Sequence, residues 1–325
     1  MRTDHAEYEF AVLGAGAIGS IIGAHLARAG HSVAMLARGR RAEQLSAHGL
    51  KITGLSEFSV PVETLTDPAR LRSAGTLIVA TKTPGTAEAL AALKHVNVGA
   101  TFSIQNGTLK DELLAEAFGE QRVLGALADT SGELLGSGEV VFTRNVNIML
   151  GEISGQMTER VQRIASAIDA SGVRSTAVSR IRSLEWSKFT AWIAFVAMSV
   201  TTRTFTWRYL TDPASALVVV RLVREMGQLA RALKVDLTDE SVLPVATICL
   251  SNDADAVAAV LKVGREYQSR APGHRMSSLQ DLEAKRPLEV HETLGYALRK
   301  GAQLAVPMPL VDAFYQVVAA IDRMR

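Results

Sequence analysis

The chain has 325 residues, 48% of them hydrophobic, enough for two packed cores of ordinary domain size. Lysine and arginine number 35 against 33 acidic residues, so no dominant field of one sign draws in nucleic acid or an anionic membrane, and a small neutral-to-anionic metabolite is the easier partner. The single cysteine, Cys249, excludes an intrachain disulfide, and its flanks Thr247, Ile248 and Leu250 read as a buried helix face.

Residues 1–7 carry Arg2, Asp4, His5 and Glu7 without an apolar run, which is not the pattern of a signal peptide. Residues 10–13 predict a strand ending at Gly14, 18–29 a helix closed by Gly30, and 32–37 a second strand. This is a strand-helix-strand unit. Buried strands are expected at 76–80 and 101–104, separated by the alanine-rich stretch 86–93, and the alternation implies a parallel sheet with helices on its faces. From 123 to 151 short strands with glycine turns at Gly132, Gly136 and Gly138 suggest antiparallel additions at one edge, followed by a helix over 158–170.

Beyond Arg180 the strand signals nearly vanish. Helices are predicted over 184–200, 212–233, 241–250, 254–261, 280–301 and 309–324, with 269–278 a polar, turn-rich approach. The uncharged stretch 189–202 falls short of the ~20 residues a membrane span needs and reads as a buried helix of a cytoplasmic protein. Leu217, Val218, Val219, Val220 and Leu222 suit either a core or a homodimer interface. The expected fold is an α/β N-terminal Rossmann-type dinucleotide-binding domain, residues 1–180, followed by an all-α C-terminal domain, 181–325, that carries substrate and catalytic groups.

The run Gly14, Ala15, Gly16, Ala17, Ile18, Gly19 fits G-x-G-x-x-G between that first strand and helix. Its glycines permit a tight turn, close approach of a pyrophosphate, and close packing of helix on strand. Backbone N–H groups at the helix start then face the phosphates. Where an NAD enzyme carries an acid for the ribose 2′-hydroxyl, this chain has Arg38-Gly39-Arg40-Arg41 and no acid before Glu43, which favours NADP(H).

Further along come Thr81-Lys82 after a strand, Gln105-Asn106-Gly107 after the next, and Trp186-Ser187-Lys188 opening the helical part. Ser277-Ser278-Leu279-Gln280-Asp281 follow with Glu289 eight residues on, and 301–309 ends the series. In order and spacing the chain resembles the ketopantoate reductase (2-dehydropantoate 2-reductase) family over nearly its whole length. The resemblance implies an NADP-dependent oxidoreductase acting on CH–OH. The expected reaction is NADPH-dependent reduction of a small 2-oxo acid, foremost 2-dehydropantoate to pantoate as in pantothenate biosynthesis, with no metal. It implies Lys188 as general acid, Asn106 between cofactor and substrate, and Glu289 on the nicotinamide-side ribose or substrate. Ser277 is implied for the substrate carboxylate, with Lys82 and Ser131 beside the cofactor.

Hydride addition to a ketone develops alkoxide charge, and an ammonium beside that oxygen both stabilises the charge and supplies a proton. Lys188, just before the uncharged run 189–202, suits that role. Each residue also has a plainer reading taken singly. Lys188 suits a snorkelling lysine, Glu289 a solvated helix carboxylate, Asn106 a turn, Ser277 a helix cap and Lys82 a loop charge.

The resemblance breaks at two positions. The family's pantoate-forming enzymes place asparagines four and eight residues after the lysine, where this chain has Trp192 and Val196. An indole and an isopropyl group cannot replace that hydrogen bonding, so Trp192 either narrows a substrate pocket or faces the core. The alternatives are a paralogue reducing a different branched 2-oxo acid, a 3-hydroxyacid dehydrogenase of the related two-domain class, and a non-catalytic NADP-binding protein.

Overall fold

The computed structural model describes residues 6–325, so the reading of the first residues as lacking a signal peptide falls largely on 1–5, outside the described residues. The chain divides into two compact units, Met1–Asn106 with Lys110–Arg182, and Gly107–Leu109 with Ser183–Arg325. The first contains β1 (Ala6–Leu13), α1 (Ala17–Arg28), β2 (Val33–Leu36), α2 (Gly39–His48), β3 (Leu50–Gly54), β4 (Phe58–Val60), β5 (Glu63–Leu65) and β6 (Leu71–Val79). It continues with α3 (Thr86–Ala91), β7 (Asn97–Ser103), α4 (Leu109–Phe118), β8 (Leu124–Leu134), β9 (Val140–Glu152), α5 (Glu159–Ala170) and β10 (Ser175–Ala177).

The first sheet is wholly parallel, in the order β5-β2-β1-β6-β7. The chain builds outward from β1 to one side and then returns to build on the other, so the order reverses between β1 and β6. Leu13 pairs with both Leu36 and Val79, and Val79 with Ser103. This register aligns the carboxyl ends of four adjacent strands, and the residues that follow them share one rim. Ligands of open α/β sheets bind at such a switch point.

Alternation along β1 feeds two cores. Phe10 and Val12 pack with Ile21, Ile22 and Leu26 of α1, while Ala11 packs with Leu77, Leu90 and Leu114 on the opposite face. The predicted short strands of 123–151 are instead two long ones, β8 and β9, paired antiparallel in a second sheet with β3, β4 and β10. Gly132 therefore makes no turn. A Cβ there would lie 2.6 Å from Ile21 Cδ1 and 2.8 Å from the Val141 oxygen, so its absence lets α1 lie close on β8.

The second unit holds α6 (Ile181–Thr202), α7 (Thr206–Thr211), α8 (Pro213–Ala232), α9 (Val245–Leu250), α10 (Asp253–Arg270), α11 (Ser277–Glu283), α12 (Leu294–Gln303) and α13 (Pro309–Arg323). Every residue of α6 from Ala191 to Val200 is buried, the mark of a helix surrounded by others. No described helix is long and apolar enough to cross a membrane. Val219, Val220 and Leu222 of α8 belong to this core, which resolves the two readings of that stretch at those positions.

Two expectations fail here. The helix predicted over 280–301 is two helices, because Lys285 adopts a left-handed φ of 53° and Pro287 disfavours helix at the residue before it. Nor do the flanks of Cys249 form a buried face, for Leu250 is 81% exposed. Cys249 is itself only partly buried, beside Gly227 of α8.

Candidate functional site

The three glycines after β1 do three different jobs. Gly14 has φ +105°, and a Cβ there would lie 2.8 Å from the Thr81 nitrogen. Gly19 would clash with the Gly14 oxygen at 2.1 Å and Ala80 Cβ at 2.8 Å, so α1 packs directly on the turn and on β6. Gly16 would meet only the Ala80 oxygen, at 4.0 Å, leaving open space where a phosphate can approach. The N-terminus of α1 accepts no side-chain cap, so its first N–H groups stay available to an anion. These features fit a dinucleotide pyrophosphate.

Around this turn the rim is filled by residues that follow the other strands. Arg38 ends the β2 turn and directly precedes α2; it is exposed, and no side-chain hydrogen bond or ion pair engages it among the described residues. A 2′-phosphate at the start of α2 would meet both that guanidinium and the helix N-terminus. Lys82 is exposed just after β6. Asn106 is partly buried at the last residue before the chain passes to the second unit. Ser131 lies on β8, its Oγ 3.1 Å from Thr143 Oγ1 on β9.

Two residues without an assigned role organise the rim. Gln105, buried, donates its Nε2 to Thr86 Oγ1 at 2.7 Å, Thr81 Oγ1 at 3.1 Å and the Lys82 carbonyl at 3.2 Å, and accepts from Ser103 Oγ at 3.0 Å. It thereby ties the segments carrying Lys82 and Asn106 together. Arg41, partly buried, reaches back to the Ala15 carbonyl at 2.9 Å. Burial draws its guanidinium below the ordinary value without removing its charge at neutral pH. Gln105 was visible as part of Gln-Asn-Gly but carried no signal of its own there, and nothing local distinguishes Arg41 from its two arginine neighbours.

The second unit gathers a different set. Trp192, Val196, Ser277, Ser278, Asp281, Leu288, Glu289, Val290, Thr293 and Val318 line one partly open recess, with room (≈ 10 Å³) for about a single water. Three of the expected residues, Trp192, Ser277 and Glu289, thus meet. Lys188 stands four residues before Trp192 on α6, about 6 Å along the axis, and is only partly buried. Glu289 is on the loop between α11 and α12, not on a helix, and its carbonyl accepts a hydrogen bond from Thr293 Oγ1. Ser277 does not cap its helix: the N-cap is Met276, with no side-chain bond, and Ser277 is exposed. Trp192 is 8% exposed, so it serves the core and the recess at once.

Asp281 is buried beside Ser277 and pairs with Arg286 Nε at 2.7 Å, which fixes the turn after α11. Ser278 Oγ lies 3.3 Å from Ser199 Oγ of α6. Half of the lining is apolar (Trp192, Val196, Leu288, Val290, Val318) and half polar (Ser277, Ser278, Asp281, Glu289, Thr293).

A parallel sheet with an open glycine turn at its switch point, together with an all-helical unit bearing a polar-edged recess, defines a two-unit dinucleotide-dependent oxidoreductase. The chain belongs to the ketopantoate reductase PanE/ApbA family, oxidoreductases acting on CH–OH: residues 10–155 match its N-terminal description and 180–322 its C-terminal one. A 2-dehydropantoate 2-reductase of Archaeoglobus fulgidus is 26% identical over 311 residues, covering 96% of this chain and 97% of its own length. The crystal structure of a PanE/ApbA family ketopantoate reductase from Ralstonia eutropha shares the fold with a TM-score of 0.82 at 24% identity, covering 98% of this chain and 99% of that one. So does D-mandelate dehydrogenase, solved with NADH and anilino(oxo)acetate, with a TM-score of 0.79 at 17% identity and coverage of 98% and 99%.

Proposed function

We propose that this chain reduces a small 2-oxo acid to the 2-hydroxy acid with NADPH, and that 2-dehydropantoate, the substrate in the relatives' name, is the first to test. That reaction would place it in pantothenate biosynthesis in the cytoplasm. The observation that carries the reading is the recess of Trp192, Ser277 and Glu289 one helical turn from Lys188, in a chain whose other unit carries the open glycine turn and an unengaged Arg38.

Gly14 to Gly19 would hold the pyrophosphate, Arg38 the 2′-phosphate, and Lys82, Asn106 and Ser131 the remainder of the nucleotide. The cofactor, when bound, supplies a hydride to the carbonyl carbon of the 2-oxo acid. The Lys188 ammonium stabilises negative charge on the carbonyl oxygen and donates the proton that completes the hydroxyl. Ser277 donates a hydrogen bond to the substrate carboxylate. Glu289 accepts from a ribose or substrate hydroxyl, and Asn106 orients the reacting carbon.

A second reading concerns the substrate alone. Trp192 and Val196 join Leu288, Val290 and Val318 as the apolar part of the recess lining, and a hydroxyl set against such side chains without a partner costs on the order of 1–3 kcal/mol. This favours a branched 2-oxo acid whose side chain carries no hydroxyl. The test is NADPH and NADH oxidation against a panel holding 2-dehydropantoate, 2-oxoisovalerate and an aromatic 2-oxo acid. Turnover of none of them with either cofactor would overturn the reductase reading.

A further inference from the structure

The three arginines after β2 look alike in the sequence, and the structure gives each a different task. Arg38 is exposed and unengaged. Arg40 gives its Nη2 to the Gly136 carbonyl at 2.8 Å, on the hairpin joining β8 to β9. Arg41 commits all three nitrogens: Nε to the Ala15 carbonyl at 2.9 Å, Nη1 to the Gly138 carbonyl at 2.8 Å, and Nη2 to Ser20 Oγ at 2.9 Å. Ser20 Oγ in turn donates to the same Ala15 carbonyl at 3.1 Å.

Two donors therefore draw the Ala15 oxygen to one side. The peptide from Ala15 to Gly16 is trans, as are all those described, so its N–H points the opposite way from its carbonyl. The Gly16 N–H has no acceptor among the described residues. On one side of this peptide Gly16, lacking a Cβ, accepts a wide range of φ, so little besides these bonds keeps it from turning over. Turned over, it would present a carbonyl oxygen, and hence repulsion, to an anion on the open side of Gly16.

We infer that Arg41 is a positioning residue of the dinucleotide site: it locks the Ala15–Gly16 peptide with its N–H directed to the pyrophosphate and does not itself bind the 2′-phosphate. The inference rests on the dinucleotide reading above. It divides the basic turn into a selector, Arg38, which only NADPH engages, and a lock, Arg41, which serves NADPH and NADH equally because both carry a pyrophosphate. It also lays a permanent charge behind the turn, where it adds to the helix-terminus field.

The experiment is calorimetric titration of NADPH and NADH into the wild-type chain and into Arg38→Ala, Arg41→Met, Arg41→Lys and Ser20→Ala, with a thermal melt of each. Loss of a charge-assisted bond that orients a ligand donor predicts that Arg41→Met raises both Kd values together, by about 10- to 100-fold, leaving their ratio unchanged. Arg41→Lys keeps the charge without the fork and falls between, Ser20→Ala has the smaller effect on both, and Arg38→Ala weakens NADPH alone. Unchanged Kd values in a folded Arg41→Met chain overturn the inference. So does a collapse of the NADPH preference equal to that of Arg38→Ala, which would make Arg41 a phosphate ligand. Should Arg41→Met not fold, Arg41→Lys and Ser20→Ala decide on the same criteria, whereas a wild-type chain that binds neither dinucleotide removes the dinucleotide reading itself.

Discussion

The glycine turn of the first unit and the recess of the second are built from opposite materials. The turn is made of backbone: uncapped N–H groups, missing Cβ atoms and a φ of +105° at Gly14, all set within six consecutive residues. The recess works through side chains brought from α6, α11, the loop before α12, and α13, which are separated by as many as 126 positions between Trp192 and Val318. A backbone site is tolerant of what surrounds it and fixed by local spacing. A side-chain site is open to revision one residue at a time, and Trp192 and Val196 stand where the resemblance to the family leads one to expect asparagines.

The contrast can be tested by asking which substitutions change chemistry, which change substrate and which change only cofactor choice. The largest effect is expected at Lys188→Ala: turnover on the best 2-oxo acid should fall by ~10²–10⁴ while NADPH affinity is retained, as single-turnover kinetics and titration will measure. Unaltered turnover would remove Lys188 from the mechanism. Next comes the recess. Trp192→Asn with Val196→Asn should shift the ratio of kcat/KM for 2-dehydropantoate over 2-oxoisovalerate upward by about 10- to 100-fold, the value of pairing one buried hydroxyl. If the wild-type chain already prefers 2-dehydropantoate strongly, Trp192 and Val196 do not define specificity.

Arg38→Ala should cost about tenfold in NADPH affinity and leave NADH alone, read by titration of both cofactors. Equal affinities before mutation would refute the role given to Arg38. The smallest effect tests the end of α1 away from the glycine turn. His25 of α1 is fully buried, its Nδ1 donating to the Ile21 carbonyl at 2.8 Å and its Nε2 3.2 Å from Ser56 Oγ. Burial pushes its imidazole below the ordinary value, the Ile21 carbonyl pulls the other way, and the nearby Arg28 charge adds to the lowering.

Because the folded value lies beneath the unfolded one, the unfolding chain takes up the proton first as pH falls. The contribution of His25 is intact above about pH 6.5 and is lost as pH drops from there through the folded value. Urea denaturation at a series of pH values from 7.5 to 5 should show a shallower decline for His25→Gln than for the parent, by up to about one proton's slope. Parallel slopes would show that the ring is not protonated on unfolding in that window.

How much of this was legible beforehand follows the same division. The strand, glycine turn and helix of 10–29, the parallel sheet, the arginine in place of an acid at position 38 and the all-helical second half follow from local spacing, because φ, Cβ volume and apolar periodicity act over a few residues. Even there the long β8–β9 pair was hidden, since Gly132 looks like a turn until α1 is seen lying against it. The helix break at Lys285 to Pro287 carried a readable signal in its proline, yet its consequence, freeing Glu289 to line the recess, depends on what the loop meets.

The amino-acid sequence by itself determined that a dinucleotide-type turn would open the chain and that Lys188 would stand near the start of a buried helix. Only the tertiary structure decided that Arg41 turns inward while Arg38 does not, that Gln105 knots two strand ends together, and that Trp192, Ser277 and Glu289 face one space. The physical reason is reach: backbone geometry is written in neighbouring residues, whereas the partner of a long side chain is chosen by whichever distant donor or acceptor folding brings within about 3 Å.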